Sequence, residues 1–268
     1  MDMNEVVGTH DILLVTLDTL RYDVAAELAD AGRLPGLLPG GRRWERRHSP
    51  GSFTYATHAA IFAGFLPTPV TPGPHPRLFA ATFPGSETTG SGTWVFGAPD
   101  LPTGLARAGY HTVCIGGVGF FNKLTPLGSA LPGLFAESHW EPEFGVTGPH
   151  SLERQIDRAE EVLARRDRPV FLFVNVSALH QPNHFHLPGA TRDGRDTHAA
   201  ALEYVDRHIA RLYALMRRPC LVIVCSDHGT AYGEDGHVGH RVGHEVVWTV
   251  PYAEFILDQP MESTIDAL

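Results

Sequence analysis

The sequence predicts an α/β fold with a mostly parallel central sheet and helices on both of its faces. Its apolar runs are short and continuous rather than alternating, as expected for strands that are covered on both faces. Helical patterns separate these runs, as parallel strands require, because each parallel connection must cross back over the sheet. With 268 residues, 43% of them hydrophobic, the chain is long enough to bury such a core.

Five apolar segments are predicted to be buried strands. They cover residues 11–17, 111–117, 169–176, 220–226 and 250–257. In parallel sheets, ligands bind beyond the carboxyl ends of the strands. Asp18, Gly116, Gly117, His180 and Asp227 all follow strand ends. We therefore expect these residues to gather along one rim of the sheet.

Four segments between the strands are predicted to be helices, at residues 57–64, 101–110, 151–166 and 196–218. In the last of them, Leu202, Val205, Ile209 and Leu212 form one apolar stripe. There is no internal repeat and no second pattern of strands and helices. The sequence thus predicts a single domain over residues 1–268.

Composition and charge exclude several classes of partner. The formal net charge of −9 disfavours binding to a phosphate backbone. No apolar run approaches the ~20 residues that a membrane helix needs. The first residues lack the apolar core of a signal peptide. We therefore expect a cytoplasmic protein that binds neither nucleic acid nor membrane and acts on a small molecule.

One loop is unusually rich in side chains that bind metals. The stretch SDHGTAYGEDGHVGHRVGH begins at Ser226, directly after the apolar run LVIVC, and contains four histidines. Asp18 likewise closes the first strand. Taken singly, Asp18 could be a helix N-cap and the histidines could be solvated loop residues. Their common place at strand ends favours a metal site instead.

Thr54 is a candidate nucleophile because it stands just before a short apolar helix. The free N–H groups and the dipole of a helix N-terminus stabilise an alkoxide, and a divalent ion lowers the pKa of the hydroxyl further. The alternative is that Thr54 is only a helix cap.

Three motifs in one order carry a family resemblance: VTLDTLRYD, then SFTYATHAAIFAGFLP, then LVIVCSDHG. This ordered set resembles the alkaline phosphatase superfamily, in its sulfatase-like branch, over residues 11–251. Within that branch, the short chain is similar to a small cytoplasmic bacterial type. The resemblance implies an alkaline-phosphatase-like sandwich reduced to a minimal core.

The resemblance also implies roles for matching residues. Asp18, Asp227 and His228 would bind a divalent metal, with Thr54 as nucleophile and a further metal contact. Sulfatases that use formylglycine carry Cys or Ser at the nucleophile position and Arg four residues later. This chain has Thr54 and His58 there, which argues against formylglycine chemistry and favours the phosphodiesterase, phosphoethanolamine transferase and mutase branches.

The resemblance gives further histidines two possible roles. His180, in LHQP, and His240 match substrate-binding positions of related enzymes, while His184 follows His180 at the spacing of a second metal site. His180, His184 and His240 would therefore hold either a second ion or the substrate anion. Neutral imidazoles and carboxylates suit Zn²⁺ or Mn²⁺, as one ion or two.

Arg21 also has two interpretations. Its guanidinium could bind the substrate anion through a bidentate fork. The alternative is that it anchors loops by pairing with a carboxylate such as Asp23.

The leading functional hypothesis is hydrolysis of a small anionic ester, a phosphate or a related phospho or sulfo ester. Thr54 would attack to give a phosphothreonine intermediate, and His180 or His240 would stabilise charge or protonate the leaving group. The alternatives are a phosphotransferase or mutase of the same superfamily, and a metal-binding scaffold without catalysis. The pocket walls are expected from residues 65–102 and 126–148.

Overall fold

A computed structural model describes residues 1–84, 89–217 and 219–258. Arg218, which ends one of the predicted helices, lies outside these ranges, as do residues 259–268 of the predicted domain. None of the helices in the described ranges is long and apolar enough to span a bilayer.

The strands follow the predicted positions closely and add several short ones. They are β1 (Asp11–Leu17), β2 (Glu45–His48), β3 (Thr68–Pro69), β4 (Phe79–Ala81), β5 (Trp94–Phe96), β6 (His111–Ile115), β7 (Glu137–His139), β8 (Val170–Val176), β9 (Cys220–Cys225), β10 (Ala231–Tyr232), β11 (Val238–Gly239) and β12 (Thr249–Leu257).

The central sheet has eight strands in the order β3-β2-β12-β9-β1-β8-β6-β7. The five strands from β9 to β7 are parallel, and in the middle of β1 Leu14 lies between Phe173 of β8 and Ile223 of β9. The mostly parallel sheet is thus confirmed. β12, β2 and β3 add an antiparallel margin. β12 is antiparallel to β9 because residues 226–248 stay at the rim where β9 ends, with no crossover helix to carry the chain back.

The helices are α1 (Met3–Val6), α2 (Tyr22–Asp30), α3 (Thr54–Phe62), α4 (Leu101–Arg107), α5 (Pro126–Ala130), α6 (Ser151–Leu163), α7 (Arg195–Leu215) and α8 (Glu245–Trp248). The helix predicted to begin at Thr57 begins at Thr54. The candidate nucleophile is therefore the first residue of the helix rather than a residue before it.

The sheet is buried on both faces by two separate apolar clusters. Along β1 the side chains alternate: Leu13 and Val15 pack with the cluster that includes α2, α6 and α7. Ile12 and Leu14 pack with the cluster that includes α1, α3 and α4. This alternation explains the unbroken apolar runs in the sequence, because both faces of each central strand need apolar side chains. Helices on both faces are confirmed.

Truncation of a core leucine should destabilise the protein far more than truncation of a surface one. Leu13 is 0% exposed and Leu124 is 72% exposed. We expect Leu13→Ala to lower the free energy of unfolding by ~2–5 kcal/mol, because it leaves a cavity in the sheet. Leu124→Ala should change it by less than about 0.5 kcal/mol. Urea denaturation measures both, and equal effects would contradict the two-cluster core.

Candidate metal and catalytic centre

The ends of two central strands and the start of one helix bring four polar side chains together. Asp18 follows β1, Asp227 and His228 follow β9, and Thr54 begins α3. One ligand atom from each of Asp18, Asp227 and His228 lies within 4.8 Å of the others. Thr54 Oγ1 lies 3.3 Å from Asp18 Oδ2 and 3.3 Å from His228 Nε2. The structure thus assembles the four residues that the motifs singled out.

Each of the two buried carboxylates has one oxygen without a hydrogen-bond partner among the described residues. Asp18 and Asp227 are both 0% exposed. Asp18 Oδ1 and Asp227 Oδ2 have no hydrogen-bond partner in the described part of the chain. Burial and the neighbouring Asp227 raise the pKa of Asp18 to about 6, and burial raises the pKa of Asp227 to about 7. Buried charges need a partner or a metal, so these residues fit a divalent cation.

The orientation of His228 suits metal binding. Its Nδ1 lies 2.9 Å from the carbonyl oxygen of Gly229, which can only accept, so Nδ1–H donates and Nε2 keeps its lone pair. Burial lowers the pKa of this imidazole, which favours the neutral form that binds metals. The atom without a proton is the one near Thr54.

Asp227 is fixed by the backbone. Its Oδ1 accepts hydrogen bonds from the N–H groups of Thr19 at 3.1 Å and His228 at 2.9 Å. Thr19 has a φ of 65°, which is unusual for a β-branched residue and marks local strain at the site. With Oδ1 held in this way, Oδ2 is the oxygen left for a cation.

Residue 229 must be glycine because the backbone of Val246 leaves no room for a side chain there. A Cβ atom at this position would lie 1.9 Å from the carbonyl oxygen of Val246, and the Gly229 N–H donates to the Val247 carbonyl at 2.7 Å. The close approach of these two backbone segments explains the glycine after Asp227 and His228 in the sequence.

Asn175 is a site residue that sequence analysis missed. It lies inside β8, is fully buried, and its Nδ2 donates to Asp18 Oδ2 at 3.3 Å. The available signal was an amide inside the otherwise apolar run VFLFVNV, since a buried amide needs a polar partner. Ser49 was also missed; its hydroxyl donates to the carbonyl oxygen of Asp227.

His58 holds the Thr54 backbone in place through a hydrogen bond. This fully buried imidazole has Nδ1 at 2.7 Å from the Thr54 carbonyl oxygen and Nε2 at 2.9 Å from Thr16 Oγ1. Burial lowers the pKa of His58 to about 3, so the ring is neutral. Its Nδ1–H donates to Thr54 and its Nε2 accepts from Thr16. A histidine at this position thus ties the first turn of α3 to β1.

A cavity of about 640 Å³ opens in front of Thr54. His180 and His240 both line it, with ring centroids 5.6 Å apart, and the ring of His240 lies 4.7 Å from that of His228. The other lining residues are Val118, Gly119, Phe120, Thr125, Leu127, Gly128, Val146, Gln181, Gly239 and Arg241. The segment 126–148 contributes walls as expected, but residues 65–84 and 89–102, the described parts of the other predicted segment, contribute none of the lining residues.

The structure does not support a second metal site at His180, His184 and His240. Among the residues that the structure describes, Asp18, Asp227 and His228 are the one group of three or more with suitable spacing. His184 Nδ1 instead lies 3.2 Å from Asp193 Oδ1. The spacing of four residues does not bring His184 to the others because residues 184–186 form a separate turn of helix. His180 and His240 keep the substrate interpretation.

The contacts of Arg21 match the interpretation in which it pairs with Asp23, and they do not support its assignment to substrate binding. It is 3% exposed, donates to both Asp23 oxygens at 2.9 and 2.8 Å, and pairs with Glu234. It is not among the residues that line the cavity. Because these carboxylates already use its donors, Arg21 holds two loops together and is not available to bind the substrate.

In metal-free protein, the two buried carboxylates should make the stability of the fold depend on pH. Between the ordinary Asp pKa of 3.8 and the raised values, the folded chain binds more protons than the unfolded chain, so stability falls as pH rises. We expect the melting temperature of chelator-treated protein to fall from pH 5 to pH 8. Added Zn²⁺ or Mn²⁺ should raise it by several degrees, and more at pH 8.

Asp227→Asn should abolish most of that metal-dependent shift, whereas Asp235→Asn should not. Asp235 has a side chain that is 83% exposed and lies outside the candidate metal group. Differential scanning fluorimetry with a metal titration measures both variants. If the metal still raised the melting temperature of Asp227→Asn by the same amount, Asp227 would not be a ligand of that metal.

Comparisons with known proteins agree with this geometry. A family model described as Sulfatase matches residues 11–252. No curated protein matches the chain.

Solved structures show the same fold at low sequence identity. The C-terminal periplasmic domain of phosphoethanolamine transferase EptC from Campylobacter jejuni is 14% identical, with a TM-score of 0.60 over 96% of this chain and 82% of that one. The EptC domain from Escherichia coli, in complex with Zn, is 12% identical, with a TM-score of 0.57 over 93% and 74%.

A protein in the alkaline phosphatase superfamily from Vibrio parahaemolyticus is 17% identical, with a TM-score of 0.56 over 94% of this chain and 61% of that one. At such identity these likenesses show the fold alone. The family model, however, covers most of the chain. The protein therefore belongs to the Sulfatase family.

Proposed function

We propose that the protein is a metal-dependent enzyme that hydrolyses a phosphate ester, or a related phospho or sulfo ester, through Thr54. One observation carries this proposal: Thr54 Oγ1 lies at the start of α3, within 3.3 Å of both Asp18 Oδ2 and His228 Nε2, and lines the cavity. A hydroxyl in that position can attack a bound ester.

Asp18, Asp227, His228 and Thr54 would hold the cation. Zn²⁺ or Mn²⁺ suits this set of oxygen and imidazole ligands, and the E. coli structure named above is a Zn complex. When bound, such a cation lowers the pKa of a hydroxyl ligand and polarises ester oxygens. One ion fits the described residues, since they form one suitable group.

The chain's own groups organise the attack. The N-terminus of α3 presents free N–H groups and the positive end of the helix dipole to negative charge at Thr54. Attack forms a bond from Thr54 Oγ1 to phosphorus and breaks the bond to the alcohol, giving a phosphothreonine. Water then releases phosphate and restores the hydroxyl.

The two cavity histidines take different parts. Burial, and then His228, lower the pKa of His240 to about 4, so this ring is neutral and suited to donating a hydrogen bond to a phosphoryl oxygen. His180 Nδ1 lies 2.6 Å from the Gln181 carbonyl oxygen, so Nδ1–H donates and Nε2 is the ring nitrogen left for other contacts. His180 is thus the better candidate for proton transfer with water and the leaving group.

Transfer to an alcohol is the second candidate. The same phosphothreonine serves both reactions, and the C. jejuni structure named above is a domain of a phosphoethanolamine transferase. The third hypothesis, a scaffold without catalysis, is disfavoured by the complete set of Asp18, Thr54, Asp227 and His228.

A cytoplasmic location and a small-molecule substrate stay predictions. The net charge of −9 supports the prediction that the protein does not bind nucleic acid.

Loss of the Thr54 hydroxyl should abolish turnover without unfolding the protein. We expect Thr54→Ala to lower kcat on the order of 10³-fold or more, while Thr54→Ser keeps measurable activity because it keeps the hydroxyl. Thr57→Ser, at a buried threonine one turn further along α3, is the control. A panel of aryl phosphate, phosphodiester and aryl sulfate tests all variants. Full activity of Thr54→Ala would refute the mechanism.

Isotope labelling should separate hydrolysis from transfer. If water is the acceptor, turnover in ¹⁸O-water places label in the released phosphate, and added alcohols do not divert the product. Transfer would instead give an unlabelled new ester. In both cases, peptide mass spectrometry of acid-quenched enzyme should find the phosphoryl group on Thr54; its appearance on another residue would contradict the proposal.

A further inference from the structure

One wall of the cavity is apolar and comes mainly from one segment of the chain. Residues 118–128, which follow β6, contribute Val118, Phe120 and Leu127, and Val146 adds to them. The ring of Phe120 lies 6.3 Å from Phe53 and 5.7 Å from Tyr55, the neighbours of Thr54 in the chain. The apolar surface therefore extends up to the segment that carries the nucleophile.

This wall also exposes apolar side chains. Leu127 is 50% exposed although it lines the cavity. Apolar surface that adjoins a polar, ionisable site is typical of pockets that bind the carbon part of a ligand. The chemistry at Thr54 needs only an anionic group, so the apolar wall requires a separate explanation.

Arg241 supplies a cation to the same cavity. Its backbone has a φ of 66°, and its N–H donates to the carbonyl oxygen of Ser52 at 2.8 Å. Its guanidinium lies over the ring of Phe53, 5.4 Å from the centroid. The residue is thus tied at two points to the segment just before Thr54.

Arg241 is free to bind an anion. No ion pair to it is formed within residues 1–84, 89–217 and 219–258, whereas Arg21 is paired with Asp23 and Glu234. An arginine fork is well matched to phosphoryl oxygens. A cation and an apolar wall on the cavity that Thr54 lines are complementary to an amphiphilic anion.

We propose that the substrate is an ester of an apolar alcohol, whose carbon part packs on Val118, Phe120, Leu127 and Val146 while Arg241 binds the anionic group. This inference rests on the function proposed above. The cavity of about 640 Å³ lies within the range of roughly 300–1,000 Å³ that holds whole small molecules, so the alcohol part can be as large as an aryl group or a medium alkyl chain.

Non-cleavable phosphonates test this recognition without catalysis. Calorimetry with Zn²⁺-loaded protein compares phenylphosphonate, octylphosphonate and methylphosphonate, which carry the same anionic group. We expect the phenyl or the octyl compound to bind about tenfold or more tightly than the methyl compound, because the wall removes its carbon surface from water. Whichever of the two binds more tightly identifies the alcohol as aryl or alkyl.

Variants of the wall should remove this preference selectively. We expect Phe120→Ala and Leu127→Ala each to reduce the phenyl-to-methyl ratio by about threefold or more, with methylphosphonate binding unchanged. Leu124→Ala is the control, since Leu124 is exposed and does not line the cavity. Leu127 is itself half exposed, so its truncation should leave folding intact even if Phe120→Ala does not.

Arg241→Gln should weaken all three phosphonates equally, by about tenfold, because it removes charge-assisted hydrogen bonds to the common group. Arg43→Gln, at a side chain that is 80% exposed, makes the same charge change elsewhere.

Equal affinity for the three phosphonates, binding of none, or an unchanged profile in Phe120→Ala, Leu127→Ala and Arg241→Gln would overturn the inference. These outcomes are distinct from a failure of the proposed function, which would show as full activity of Thr54→Ala.

Discussion

Two carboxylates buried side by side are the constraint on which the rest of the site depends. Asp18 and Asp227 are fully buried at the ends of adjacent strands, and each has one oxygen without a partner in the described chain. Such a pair is unfavourable in a folded protein unless a cation joins it. The neighbouring contacts from Asn175, Thr19 and His228 fix which oxygens remain available, and so decide where that cation can lie.

The position of the nucleophile follows from the layering of the fold. α3 belongs to the apolar cluster on one face of the sheet, where Ile61 and Phe62 are buried. That packing holds the helix, and His58 ties its first turn to Thr16 of β1. The helix N-terminus consequently meets the end of β1, and Thr54 meets Asp18. Core packing and site geometry are thus set by the same contacts.

The structural relatives share the fold of this chain but few of its residues. At 12–17% identity the fold persists, although most side chains differ. The cavity wall at residues 118–128 and Arg241 come from segments that connect the strands, which vary most among related proteins. If these segments bind the substrate as we propose, substrate choice is set by the connecting segments rather than by the sheet.

The sequence by itself determined the five long apolar strands and the two-faced sheet, and its motifs singled out Asp18, Thr54, Asp227 and His228, which the structure brings together. It could do so because continuous apolar runs report burial on both faces, and residues after parallel strands share one rim. Only the tertiary structure decided which other polar residues join them. Arg21 and His184 pair with nearby carboxylates, while Asn175 and Arg241 reach the site from distant segments. Such contacts depend on the packing of loops in three dimensions, which residue spacing along the chain does not encode.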